Sequence, residues 1–160
     1  MPLLPKRNPY FPSASTAYGE STFICPGNFI SQSYAGKSYK VWNYHYNVTS
    51  VENIAGGLGT SHTFELPEIF GPGNANDRAN ASYSSYNAPI VPVVMDYFTS
   101  FVRTLYPHKY KAAGAPVWED FGRERGRLLL QTNAPVMETV PKDQFERCEF
   151  WESLGVVMQQ

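Results

Sequence analysis

The clearest alternation of apolar and polar positions lies between Tyr39 and Val48. There Trp42, Tyr44, Tyr46 and Val48 share one face of an extended chain, and Asn43, His45 and Asn47 share the other. The stretch is rich in aromatic and β-branched residues and predicts a strand. Between Pro92 and Tyr106 the period changes. Val94, Phe98, Phe101, Val102 and Leu105 recur at helical spacing, with Asp96, Thr99, Ser100 and Arg103 largely opposite. Pro92 suits a first turn and Pro107 ends the helix. Residues 128–132 form a short apolar run that predicts a buried strand, and 136–140 predict another. A last helix over 142–154 would carry Phe145, Cys148, Trp151 and Leu154 on one side.

Glycine and proline punctuate the rest. Prolines at 2, 5, 9 and 12 predict an extended lead-in over residues 1–14. Residues 15–34 have a helical pattern that Pro26-Gly27 should interrupt just after Cys25. Residues 50–73 contain five glycines around Thr60-Ser61-His62-Thr63-Phe64-Glu65 and read as a long loop with one helical turn after His62. Residues 74–88, small and polar, predict an exposed excursion. No internal repeat is visible.

Composition narrows the class. The chain has 160 residues, of which 42% are hydrophobic and 17% charged, so it has the material for a packed core in one unit, 1–160. Thirteen basic residues balance fourteen acidic ones for a net charge of -1. With no Lys/Arg stripe to neutralise phosphates, nucleic acid is not an expected partner. No apolar stretch approaches the ~20 residues needed to cross a bilayer, and the first residues lack the apolar core of a secretory signal. Two acceptor triplets for glycosylation, at Asn47 and Asn80, together with only two cysteines, point to an oxidising compartment. Two free buried thiols are the intracellular alternative.

Three histidines are candidates for chemistry. His45 lies on the polar face of the predicted strand, and His108 follows Pro107 at a helix end, where it meets the last carbonyls; both read as structural. His62 differs, because Gly56, Gly57 and Gly59 upstream give its loop the freedom to present an imidazole into a cleft. A metal site at His62 and Glu65 lacks further ligands at recognisable spacing, and Gly56-Gly57-Leu58-Gly59-Thr60 lacks the lysine of a phosphate loop. A catalytic base is the reading that remains, and no cofactor is implied. Its nucleophile is harder to find. Gly19-Glu20-Ser21-Thr22-Phe23 imitates the Gly-x-Ser-x-Gly elbow, but Phe23 replaces the last glycine and no apolar strand precedes it, so Ser21 reads as a helix residue.

The segment 57–71, Gly-Leu-Gly-Thr-Ser-His-Thr-Phe-Glu-Leu-Pro-Glu-Ile-Phe-Gly, resembles the histidine segment of fungal type-B carboxylesterases and lipases and their cholinesterase relatives. The resemblance extends to Phe23-Ile24-Cys25-Pro26, to the helix Met95 to Tyr106 with Pro116-Val117-Trp118 after it, and to Glu146-Arg147-Cys148-Glu149-Phe150-Trp151. It implies an α/β fold: the C-terminal portion of an α/β-hydrolase, the last sheet strands with packing helices, incomplete as a domain. It also implies that His62 is the catalytic histidine, that Cys25 pairs with Cys148, and that the chain is extracellular with an ester or lipid substrate. Family members carry glycine after the histidine, where this chain has Thr63.

In α/β-hydrolases the triad runs Ser, then Asp/Glu, then His, so the partners of His62 are expected upstream of these residues. The expectation is therefore a part of a carboxylic ester hydrolase, inactive alone. The alternatives are a truncated gene product or a non-catalytic cholinesterase-like binding module, and, further off, an aromatic-rich secreted domain that binds through the tyrosines of 39–46.

Overall fold

A computed structural model describes residues 8–75 and 80–158. The chain divides into two compact units. One comprises Met1–Asn43, Asp120–Gly126 and Thr139–Gln160; the other comprises Tyr44–Glu119 and Arg127–Glu138.

The first unit is helical. Helix α1 (Phe11–Gly19) passes through a wide π turn (Glu20–Ile24) into α2 (Cys25–Ala35), and α7 (Lys142–Met158) packs against α2 and the π turn. Two expectations change here. The extended lead-in gives way to helix at Phe11, because Pro12 stands in the first turn, where its fixed φ fits and its missing N–H has no partner to lose. Residues 1–7 of that lead-in lie outside the described residues. Nor does Pro26-Gly27 break the helix. The turn before it is wound wide, with the Cys25 N–H bonded to the Glu20 carbonyl, and Pro26 then occupies the first turn of α2.

Cys25 and Cys148, both fully buried, are joined by a disulfide with Cα atoms 5.1 Å apart, so α2 is covalently tied to α7. Beside it, buried Glu20 accepts from Arg147 of α7 (Nη2 to Oε1, 2.8 Å) and from the Trp151 indole at 3.4 Å. Phe145, Cys148, Trp151 and Leu154 lie on the less exposed side of α7, as their spacing predicts.

The second unit carries the sheet and the histidine segment. Strands β1 (Tyr44–Tyr46), β2 (Gly126–Leu130) and β3 (Val136–Thr139) lie side by side in that order, β1 parallel to β2 with His45 opposite Leu129. β1 is shorter than the predicted 39–48, because the aromatic run 39–43 gains no ladder. The extended path does continue to Asn47, whose N–H bonds the Leu130 carbonyl. Val48, Leu128 and Leu130 are fully buried.

Helix α6 (Ile90–Thr104) forms as its period predicts, but on a different face. Ile90, Val91, Val94, Tyr97 and Ser100 face inward, whereas Val102 is 80% and Leu105 66% exposed. Tyr97 and Ser100 satisfy their hydroxyls in place, on the carbonyls of Pro116 (2.6 Å) and Tyr106 (2.7 Å), which removes the cost of burying them. The predicted loop over 50–73 contains two short helices, α3 (Val51–Ala55), capped by the Ser50 hydroxyl, and α4 (Leu66–Phe70), the helical turn expected after His62. The excursion over 74–88 is not uniformly exposed. It forms α5 (Asn80–Tyr83), and Ser82, Tyr83 and Asn87 are buried.

Candidate active site

His62 stands on the surface of a tight turn between α3 and α4. The Phe64 N–H bonds the Ser61 carbonyl at 3.2 Å and the Leu66 N–H bonds that of Thr63 at 3.3 Å, so His62 sits within the first of two overlapping turns. Its imidazole is exposed and makes no hydrogen bond to any described side chain. Thr63 takes φ of 64°, the left-handed region that glycine enters freely and a β-branched residue enters at a cost. That explains why glycine suits the position after the histidine. Here Thr63 holds the same conformation, with its hydroxyl on the His62 carbonyl at 2.6 Å.

The turn is anchored on both flanks. Upstream, the Asn53 amide of α3 donates to the Ser61 hydroxyl at 3.0 Å, and the Leu58 N–H bonds the Asn53 carbonyl at 2.9 Å. Downstream, Phe64 is buried against the Tyr83 ring, with centroids 5.1 Å apart, and the Tyr83 hydroxyl donates to the Phe64 carbonyl at 2.7 Å. Tyr83 continues inward. Its oxygen lies 2.6 Å from that of Tyr46, which lies 2.8 Å from Oε1 of Glu68. Glu68 is wholly buried on α4, and its Oε2 has no partner among the described residues. Burial pushes the Glu68 carboxyl up to about 7, with a smaller push from the Glu65 charge, against the pull of the two phenols. Burial likewise raises the Tyr46 and Tyr83 phenols.

This Glu68–Tyr46–Tyr83 cluster and Asn53 escaped the sequence reading. One signal was available: a carboxylate inside the otherwise apolar run Leu66-Pro67-Glu68-Ile69-Phe70 is a charge placed where water is excluded.

The other histidines are held structurally. His45 bonds Glu138 at 3.0 Å, and buried Arg127 bonds the same carboxylate at 2.6 Å, linking β1, β2 and β3. Burial would raise the Glu138 carboxyl, but these bonds outweigh it and hold it below its ordinary range. His108 donates to the Trp118 carbonyl at 2.9 Å rather than to the end of its own helix. Ser21 lies in the π turn with its hydroxyl on the Tyr18 carbonyl, as a helix residue would. Asn47 is exposed at the end of β1, while the Asn80 side chain lies outside the described residues. Among the described residues, no three His, Cys, Asp or Glu side chains are grouped to hold a metal ion, and no helix is long and apolar enough to cross a membrane.

A mixed three-stranded sheet with packing helices is the arrangement the carboxylesterase resemblance implied. The carboxylesterase family model matches residues 6–151, and the chain belongs to that family. The crystal structure of Aspergillus niger EstA is 48% identical over the whole of this chain and superposes with a TM-score of 0.93. The match covers 100% of this chain and 31% of EstA. The fold is therefore a portion of the α/β-hydrolase carboxylesterase fold. No match is found among curated proteins.

Proposed function

We propose that these residues form the part of a serine carboxylic ester hydrolase that supplies the general base, His62. An exposed imidazole on a turn fixed from both flanks, in a segment that resembles the family's histidine segment, is what supports this reading. In the reaction the imidazole takes the proton of a serine hydroxyl as that oxygen attacks the ester carbonyl. It then protonates the departing alcohol, so the imidazolium exists only between the two steps.

The nucleophile and the triad acid belong to other parts of the enzyme. Ser61, the nearest serine in sequence, is engaged by Asn53, and Ser21 is back-bonded in a π turn, so neither is set up as a nucleophile. Glu65 and Glu68 follow the histidine, whereas the acid precedes it in the order of these folds. The substrate is a carboxylic ester, a lipid ester included. The disulfide and exposed Asn47 support a secreted, glycosylated protein.

The 160 residues assayed on a short p-nitrophenyl ester should hydrolyse it no faster than their His62→Ala variant. Hydrolysis that depends on His62 in this chain alone would place a nucleophile within it.

A further inference from the structure

The contacts behind the His62 turn pose a question of proton counting. Three oxygen–oxygen contacts run in series: Glu68 Oε1 to Tyr46 at 2.8 Å, Tyr46 to Tyr83 at 2.6 Å, and Tyr83 to the Phe64 carbonyl at 2.7 Å. Each is of hydrogen-bond length and each requires one proton. The two phenols supply two, and the carbonyl supplies none. With Glu68 ionised, one contact is left as two oxygens facing each other without a hydrogen. With Glu68 protonated, every contact is satisfied in one direction: carboxyl to Tyr46, Tyr46 to Tyr83, Tyr83 to Phe64.

The free oxygen of Glu68 agrees. Oε2 is buried without a partner among the described residues, a far smaller penalty for the carbonyl oxygen of a neutral acid than for half of a carboxylate. Among the described residues, surrounding charges supply no alternative: the ionisable groups that act on Glu68 are Tyr46 from β1, Tyr83 from α5 and Glu65 from the preceding turn, and none of these is a cation. Of the ionisable groups on α6, which packs on α4, Tyr97 bonds Pro116, Arg103 lies over the Tyr110 ring, and Asp96 has no bond to Glu68.

We propose that protonated Glu68 heads a hydrogen-bond relay through Tyr46 and Tyr83 that holds the Phe64 carbonyl and thereby positions His62, and that loss of the Glu68 proton loosens this turn. Glu68, Tyr46 and Tyr83 are positioning residues; none touches the ester. The inference rests on His62 being the general base only for its catalytic meaning. The relay itself is a property of these residues.

The test uses the full 160-residue chain and reads amide hydrogen exchange, corrected for intrinsic rates, at Phe64 and Leu66, whose N–H groups close the turns. The amides of α6, in the same unit, are the control. In the wild type, the ratio of turn to α6 exchange should rise roughly tenfold between pH 5 and pH 8, the size expected for one lost hydrogen bond between neutral groups. In Glu68→Gln, whose amide donates to Tyr46 at any pH, the ratio should stay at its pH 5 value. In Tyr83→Phe, which keeps the ring on Phe64 but loses the hydroxyl, it should be raised at both.

A Glu68→Gln variant with the wild-type pH response, or a turn and an α6 that change by the same factor, would overturn the relay. Should Tyr83→Phe not fold, Tyr46→Phe interrupts the same series one step earlier and is expected to raise the ratio likewise. None of these readings depends on ester hydrolysis. A sound relay with a His62→Ala variant that leaves the parent enzyme's hydrolysis intact would refute the catalytic reading alone.

Discussion

Reducing the Cys25–Cys148 disulfide should cost the helical unit a large part of its stability. The bridge joins positions 123 apart in sequence, so in the unfolded oxidised chain it closes most of the molecule into one loop. Applied to a loop spanning 123 positions, the chain-entropy relation gives about 5 kcal/mol at room temperature, comparable with the whole stability of a small domain. What remains between the π turn and α7 after reduction is chiefly the pairing of Glu20 with Arg147 and Trp151. Because Arg147 is 46% exposed, that ion pair replaces little of the loss. Hydrogen exchange of the α7 amides, compared between oxidised and reduced wild-type chain, isolates the bridge without introducing a cavity. Exchange in α7 should accelerate by orders of magnitude on reduction, and the Cys25→Ala/Cys148→Ala chain should match the reduced wild type. A change at α7 worth less than about 1 kcal/mol, a small fraction of the chain-entropy figure, would refute the reasoning and show that the unfolded state is already confined without the bridge.

Two further outcomes concern the histidine segment. Glu68 is protonated more readily folded than unfolded, so its contribution to stability is complete below its ordinary 4.5 and is lost as pH rises through about 7. The gap corresponds to about 3 kcal/mol. Urea unfolding should accordingly find Glu68→Gln close to wild type at pH 4 and more stable by roughly that amount at pH 8; a difference that does not vary with pH would contradict it. Thr63→Gly should raise the unfolding free energy by about 0.5 to 1 kcal/mol, because relief of left-handed strain exceeds the entropy glycine adds to the unfolded chain; a loss on the same denaturation curve would show that the Thr63 hydroxyl outweighs the strain.

Elements whose own residues settle their state were legible in the sequence. The α6 segment has a sustained helical period between two prolines, residues 128–130 are a short apolar run with nowhere to go but the core, and α7 shows its buried side in Phe145, Cys148, Trp151 and Leu154. The features that were missed depend on partners distant in sequence. Which face of α6 turns inward is decided by carbonyls at Tyr106 and Pro116 that accept the Ser100 and Tyr97 hydroxyls, so a stripe counted by hydrophobicity alone is rotated. The helix through Pro26 survives because a π turn absorbs the proline, and no local composition signals that widening. At the site, His62 was visible because glycines and family residues surround it. Glu68, Tyr46 and Tyr83 were not, because Glu68 and Tyr83 lie 22 and 37 positions from Tyr46 along the chain and the three meet only once β1, α4 and α5 are packed.

The role proposed for His62 is that of general base in an ester hydrolase completed by residues outside this chain. Its most direct test is to exchange the matching third of an active carboxylesterase of the family for these 160 residues and to measure kcat and KM for a p-nitrophenyl ester in the chimera and in its His62→Ala variant. The chimera should hydrolyse the ester, and kcat of the variant should fall by roughly 10³-fold or more with KM little changed, the behaviour of a lost triad histidine. A folded, active chimera whose kcat is indifferent to His62→Ala would contradict it.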